Sequence, residues 1–226
     1  MENNIIIAGG GHAGVEAAMA ISKMGLPCIM VTLNRGAIAR MSCNPAIGGL
    51  AKGHLVKEID ALGGVMGRAA DKTTIQHKIL NKSKGRAVWS PRSQIDKIQY
   101  TQHIQRLIKK DKNVQIIEDE IIDFYSTNNQ INAVKLKKLK KLSCSALIVT
   151  CGTFMSGLIH VGHKQFKGGR IGEKRSYGLT DAMMNKGLVF GRLKTGTPPR
   201  VHKDSINFTK LEIASGETNI LPFSIF

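Results

Sequence analysis

Ile5-Ile6-Ile7-Ala8-Gly9-Gly10-Gly11-His12-Ala13-Gly14 is the stretch that decides the fold. A short apolar run enters a glycine turn, and an alanine-rich helical run continues through Glu16 to Ala20. Strand, tight turn and helix N-terminus follow in the order that a dinucleotide-binding βαβ unit requires. Gly9 allows the turn, Gly11 lets the backbone approach a pyrophosphate, and Gly14 lets the helix pack close to the strand. The anion then meets N–H groups at the positive end of the helix dipole. A bare GxGxxG is a weak signal. Here Cys28-Ile29-Met30-Val31-Thr32-Leu33 adds a second strand at the right distance, which makes it specific.

Working outward, 226 residues suffice for one large domain or a domain and a half. At 42% hydrophobic and 22% charged residues the composition is that of an ordinary globular protein. No apolar run reaches the ~18 residues of a membrane span. The apolar start has no basic region before it and reads as a buried first strand, not a signal peptide. Cys28, Cys43, Cys144 and Cys151 are widely spaced, with no CxxC pair. Cys28, Cys144 and Cys151 fall in or beside strand-like runs as core residues, which predicts free thiols and a cytoplasmic location. The net charge of +17 points to a polyanionic partner. Most of the cations are lysines and only 5% of residues are aromatic, so stacking platforms for bases are few.

Asn34 to Gly49 is a polar, glycine-rich connection. Ala51 to Leu62 reads as a helix, with Leu55, Ile59 and Leu62 at helical spacing and Gly63-Gly64 as its stop. Thr73 to Asn81 reads as a short strand or turn. Ser90-Pro91 predicts an N-cap and first helical position for a helix running to Lys110, with Ile104, Leu107 and Ile108 on its buried face. Val114–Ile116, Ile121–Tyr125, Ile131–Lys137 and Ala146–Thr150 read as strands, with Asn128-Asn129 as a turn. The last of them is expected to return to the sheet beside the first strand. The lysine run Lys135, Lys137, Lys138, Lys140 and Lys141 reads as a solvated hairpin face rather than a nucleic-acid patch. Leu179 to Lys186 reads as a short helix stopped by Gly187, and Gly191 to Arg200 as a rigid cationic loop.

The P-loop, HExxH and GxSxG patterns are absent, as is any zinc-like Cys/His spacing, so no metal site is expected. After the second strand an NAD fingerprint expects a carboxylate; Thr32-Leu33-Asn34-Arg35 offers only Asn34 for a ribose. That disfavours an ordinary NAD dehydrogenase. Cys43 is the candidate nucleophile: it precedes a Gly-Gly pair and a helix start, with Arg40 and Lys52 nearby in sequence to depress a thiol pKa. His54 is a weaker candidate to face a ligand.

GGGHAG at Gly9–Gly14, MSCNPAIGGLAKGHLVKEIDALGG at Met41–Gly64, LNKSKGRAVWSPRSQ at Leu80–Gln94 and GRLKTGTPPR at Gly191–Arg200 occur in the order and spacing of one family. Together they resemble the MnmG (GidA) family of tRNA-modifying flavoproteins, along the whole chain. The resemblance implies a Rossmann-like, α/β FAD-binding domain of the two-dinucleotide-binding-domain type, with FAD as cofactor, NADH as reductant and methylene-tetrahydrofolate as carbon donor. It implies tRNA as substrate, an MnmE-type GTPase as partner, and a homodimer. The activity so implied adds an aminomethyl or carboxymethylaminomethyl group to carbon 5 of the wobble uridine. Gly9, Gly10, Gly11, His12, Ala13 and Gly14 match the pyrophosphate-wrapping segment. Ile121 and Ser176 match further FAD contacts, and Cys43 matches a functional cysteine. Lys84, Arg86, Arg92, Arg192, Lys194 and Arg200 are candidates to meet tRNA phosphates or folate carboxylates.

The resemblance places residues 1–200 in the FAD-binding domain, with a β-hairpin segment at about 114–145, and residues 201–226 at the start of an inserted NAD-binding domain. It also implies that the second functional cysteine and the partner-docking helical domain lie outside this stretch, as in a truncated chain. Arg86 stands where similar proteins have proline. The alternatives are a folate-dependent tRNA uridine methyltransferase of related build, or an inactive remnant that binds RNA by charge.

Overall fold

A computed structural model describes residues 4–41, 44–196, 198–199 and 201–226. In chain order the elements are β1 (Ile5–Ala8), α1 (His12–Lys23), β2 (Cys28–Thr32), β3 (Ala46–Gly48), α2 (Gly53–Ala61), α3 (Met66–Thr73), β4 (Thr74–Leu80) and β5 (Ser90–Ile95). There follow α4 (Lys97–Lys110), β6 (Val114–Glu118), β7 (Ile121–Thr127), β8 (Gln130–Leu136), β9 (Lys140–Ser143), β10 (Ala146–Val149), β11 (Leu158–Val161), β12 (Lys164–Lys167) and α5 (Leu179–Met184). They divide into two compact units, residues 1–40 with 101–191 and residues 41–100 with 192–226.

The first unit is built on a parallel sheet in the order β10-β1-β2-β6. Strands of such a sheet are covered on both faces, which is why β2 is buried at every position and apolar at all but Thr32. The return of Ala146–Val149 to pair with β1 fulfils the expectation from sequence. A second, antiparallel sheet, β7-β8-β9, shares a core with it: Ile6, Ala8, Ile29 and Val31 pack in one cluster with Ile121, Val134, Leu136, Cys144 and Leu179. Asn128 and Asn129 close the β7–β8 hairpin with φ of 51° and 60°, the left-handed pair that a two-residue primed turn demands. The β11–β12 hairpin has no counterpart in the sequence reading.

The second unit holds a three-stranded antiparallel sheet, β3-β5-β4, and helices α2 and α3. Here the reading of Ser90-Pro91 is corrected. These residues open the central strand β5, and the cap of α4 is Asp96, whose Oδ1 accepts the N–H groups of Ile98 (2.9 Å) and Gln99 (3.0 Å). Proline is tolerated near the first position of a strand, so Ser-Pro marks a strand start as readily as a helix start. The buried face of α2 is also corrected: Gly53, Val56 and Asp60 are buried, whereas Leu55 and Leu62 are exposed. Residues 205–226 contain no strand among the described residues. They run along this unit through backbone and side-chain ties to Gln76, His77, Asp60 and Asp71.

Candidate dinucleotide-binding site

β1 lies between β2, which follows it in sequence, and β10, which arrives much later. In open parallel sheets, ligands collect outside the carboxyl ends of strands at such a switch point. The two loops that leave it are locked together. The Thr150 N–H and hydroxyl donate to the Ala8 carbonyl at 2.8 and 2.9 Å, and the hydroxyl also reaches the Gly9 carbonyl at 3.2 Å.

The glycines divide by what surrounds them. Gly9 adopts φ +113°, and a Cβ there would sit 2.7 Å from the Thr150 carbonyl oxygen. A Cβ on Gly14 would collide with the Gly9 carbonyl oxygen. Around Gly11, by contrast, a Cβ meets nothing within 4 Å. Gly11 is the N-cap of α1, makes no side-chain cap, and no acidic residue stands in the first turn. First-turn N–H groups of a helix lack intrahelical acceptors. The backbone is therefore tight where strand meets helix and open where an anion would approach the helix tip.

The surrounding charge suits an anion. Glu173 accepts from both Arg40 (2.9 Å) and Arg170 (3.1 Å), leaving one positive charge in surplus. Burial, and then the Arg170 guanidinium, push the His12 imidazole below its usual 6.5, so at neutral pH its ring is uncharged. Sequence reasoning missed the Arg40–Glu173–Arg170 group, because its members are distant in the chain.

The two remote candidates come together. The Ser176 N–H donates to the Phe154 carbonyl (2.9 Å), beside the loop that follows β10. The next N–H, of Tyr177, donates to the Glu120 carboxylate (2.6 Å), the residue before Ile121. Ser176 is buried, and its hydroxyl has no hydrogen-bond partner. Ile121 is buried in the core cluster at the start of β7. The run thus passes from Gly9 through Thr150 and Phe154 to Ser176, Tyr177 and Glu120.

At the end of β2, the Asn34 side-chain oxygen accepts from the Gly36 N–H (2.7 Å), so it is used as a local cap. A carboxylate does stand at this end of the sheet, one strand over. Glu118 pairs in register with Thr32 and accepts from the Arg35 N–H (2.9 Å). Strand pairing put it there; no linear spacing announces it.

Cys43 lies outside the described residues, as do Thr197 and Arg200. Cys28 and Cys144 are buried and Cys151 half-buried. Burial pushes the thiols of Cys28 and Cys151 up to about 11 and raises that of Cys144, which suits structural cysteines. His54, Lys84, Arg86, Arg192 and Lys194 are exposed. Arg86 stacks over Trp89 at 5.6 Å in a 3-10 turn (Arg86–Val88), which accommodates a residue other than proline. Arg92 is half-buried and donates to Gln94 (3.2 Å).

Fold and loop define an α/β protein with a parallel sheet of the dinucleotide-binding type. The family model described as "Glucose inhibited division protein A" matches residues 4–226. The chain belongs to this family, GidA. It is 45% identical over 222 residues, 98% of its length, to "tRNA uridine 5-carboxymethylaminomethyl modification enzyme MnmG" of Chlorobaculum tepidum, and spans 36% of that protein. The Aquifex aeolicus protein of the same name is 45% identical over 225 residues. A crystal structure of Aquifex aeolicus GidA superposes with a TM-score of 0.93 at 46% identity, covering 99% of this chain and 37% of that one. The GidA-related protein of Thermus thermophilus shares the fold, with a TM-score of 0.59 at 14% identity over 83% of this chain and 69% of that one. The chain thus spans about a third of the length of the curated relatives it matches. Among the described residues no helix is long and apolar enough to cross a membrane.

Proposed function

We propose that this chain forms the FAD-binding portion of an enzyme that modifies the wobble uridine of tRNA at carbon 5. The observation that carries the reading is the uncapped tip of α1 with open space at Gly11, in a chain about 45% identical to enzymes named for that modification. FAD, when bound, supplies hydride transfer. The chain's own part is to hold it. Gly9 to Gly14 present backbone amides to the pyrophosphate, His12 adds a neutral ring, and the Arg40–Glu173–Arg170 group supplies positive potential. The unpartnered Ser176 hydroxyl and the backbone near Ile121 serve as further cofactor contacts in this reading. An orphaned buried hydroxyl and a cradle that any Cβ at Gly11 would narrow both fit such a ligand.

In the same reading, NADH would serve as reductant and methylene-tetrahydrofolate as carbon donor, with an MnmE-type GTPase as partner of a homodimer. Residues 1–200 then belong to the FAD-binding domain, and 201–226 open an inserted NAD-binding domain. Cys43 is assigned to attack on the uracil ring or to handling of the carbon unit. The basic balance of the chain serves the tRNA polyanion.

The test is a titration of the purified chain with FAD, followed by flavin fluorescence and absorbance. Uptake at micromolar FAD, weakened by Gly11→Ser, is the expected result. No uptake by a folded chain refutes the proposal. Cys43→Ser in the full-length enzyme is expected to leave FAD uptake intact and abolish modification.

A further inference from the structure

The antiparallel sheet β7-β8-β9 turns Val134, Leu136 and Leu142 into the core of its unit. Alternation along the strands then sends Lys135 and Lys141 to the opposite face. The register sets these two lysines directly across from each other. Like charges facing across a ladder cost stability, and a merely solvated face has no need of them.

Among the described residues the nearby acids make their contacts elsewhere. Asp119 accepts from the N–H groups of Glu120 (2.7 Å), Lys138 (3.1 Å) and Leu139 (3.1 Å), and so pins the β8–β9 turn. Glu120 takes the Lys137 ammonium (2.9 Å) and the Tyr177 N–H. Asp123, across from Lys135 on β7, accepts from the Phe124 N–H (2.8 Å). Among the described residues no carboxylate forms an ion pair with Lys135, Lys140 or Lys141. The Lys141 ammonium lies 5.1 Å from the ring centre of Tyr125, which is 40% exposed.

We infer that this face, with Lys135, Lys141 and Tyr125 on strands joined by a turn that Asp119 makes rigid, docks the backbone of a folded RNA. The inference rests on the tRNA reading above and goes beyond it by naming a surface. Unpaired cations beside an exposed aromatic ring fit phosphates together with a ribose or an unstacked base. A single exposed leucine at the turn, Leu139, offers little apolar area for a lipid surface.

The experiment measures binding of the purified chain to an unmodified tRNA transcript across a salt series, with K135Q/K141Q, K135R/K141R and Tyr125→Leu as variants. The glutamine pair is expected to bind roughly tenfold more weakly and to lower the slope of log affinity against log salt by about 2. The arginine pair keeps parental affinity, and Tyr125→Leu weakens binding at an unchanged slope. A parent that binds tRNA while the glutamine pair matches it in affinity and slope overturns the docking surface and leaves the tRNA reading standing. A parent that does not bind tRNA overturns both. Equal loss in the glutamine and arginine pairs, or loss confined to phosphatidylserine vesicles, also overturns the surface.

Discussion

Two glycine turns follow two short strands in this molecule, and they are filled in opposite ways. After β1, the turn is tight against its own backbone at Gly9 and Gly14, yet empty around Gly11. At the end of β3, Gly48 adopts φ +81°, and a Cβ there would collide with the Pro91 carbonyl oxygen and the Phe223 ring. One turn is left open at Gly11, where the proposed cofactor would sit. The other gives its space to a phenylalanine from the far end of the chain, itself fully buried and edge-on to His77 (ring centres 6.0 Å apart). A glycine turn is thus a binding cradle or a packing socket according to what the rest of the fold brings to it.

Substitutions can break this contrast, and the largest effect is expected in the socket. Phe223→Ala removes a fully buried ring and is expected to cost about 4 kcal/mol, read as a drop in the urea midpoint. Gly14→Ala forces a Cβ into backbone and is expected to cost about 3 kcal/mol in the same measurement. Gly11→Ser separates the two properties of the cradle. A serine N-cap satisfies a first-turn amide, so stability is expected to hold or rise by about 0.5 kcal/mol. FAD affinity is expected to fall at least tenfold, about 1.4 kcal/mol. If stability and affinity fall together, the cradle is a packing socket too.

The smallest effect concerns protons. Burial lowers the pKa of both His12 and His77 from the usual 6.5; at His77 the Asp71 and Glu217 carboxylates oppose it. Well above pH 6.5 both rings are neutral in either state. Below it the unfolded chain takes up protons first, so stability is expected to decline as pH falls from 6.5 toward the folded values. Denaturant titrations at mildly acidic and neutral pH read this directly. His77→Gln is expected to flatten part of the slope.

The same contrast explains what could be read from the sequence. The cradle is written contiguously: strand, glycines and helix lie within Ile5–Lys23, and the apolar run Ala146–Val149 declares its place beside β1. The turn at Asn128-Asn129 and the core positions of Cys28 and Cys144 are equally local. The second unit is written at long range. Helix α3 (MGRAADKT) buries glycine, alanines and a threonine, which give no apolar periodicity to detect. The sequence reading starts α4 at Ser90, and only the pairing of β5 with β3 and β4 takes Ser90–Ile95 into a sheet and moves the cap to Asp96. The Glu118 carboxylate and the Arg40–Glu173–Arg170 group escape a linear reading for the same reason: each exists only once strands or loops have been brought side by side.

The ties that hold residues 222–226 have a consequence for handling the protein. The Asp71 carboxylate takes the N–H groups of Phe223 (2.9 Å) and Ser224 (2.8 Å), the buried Asp60 takes that of Ile225 (3.0 Å), and the Lys57 ammonium holds the Pro222 carbonyl (2.8 Å). Replacing Ser224-Ile225 by Pro-Pro would remove two of these donors and leave Asp60 in the interior with neither oxygen satisfied. That replacement is therefore expected to loosen the whole unit, seen as faster amide exchange at His77 and Gly48 as well as at the segment itself.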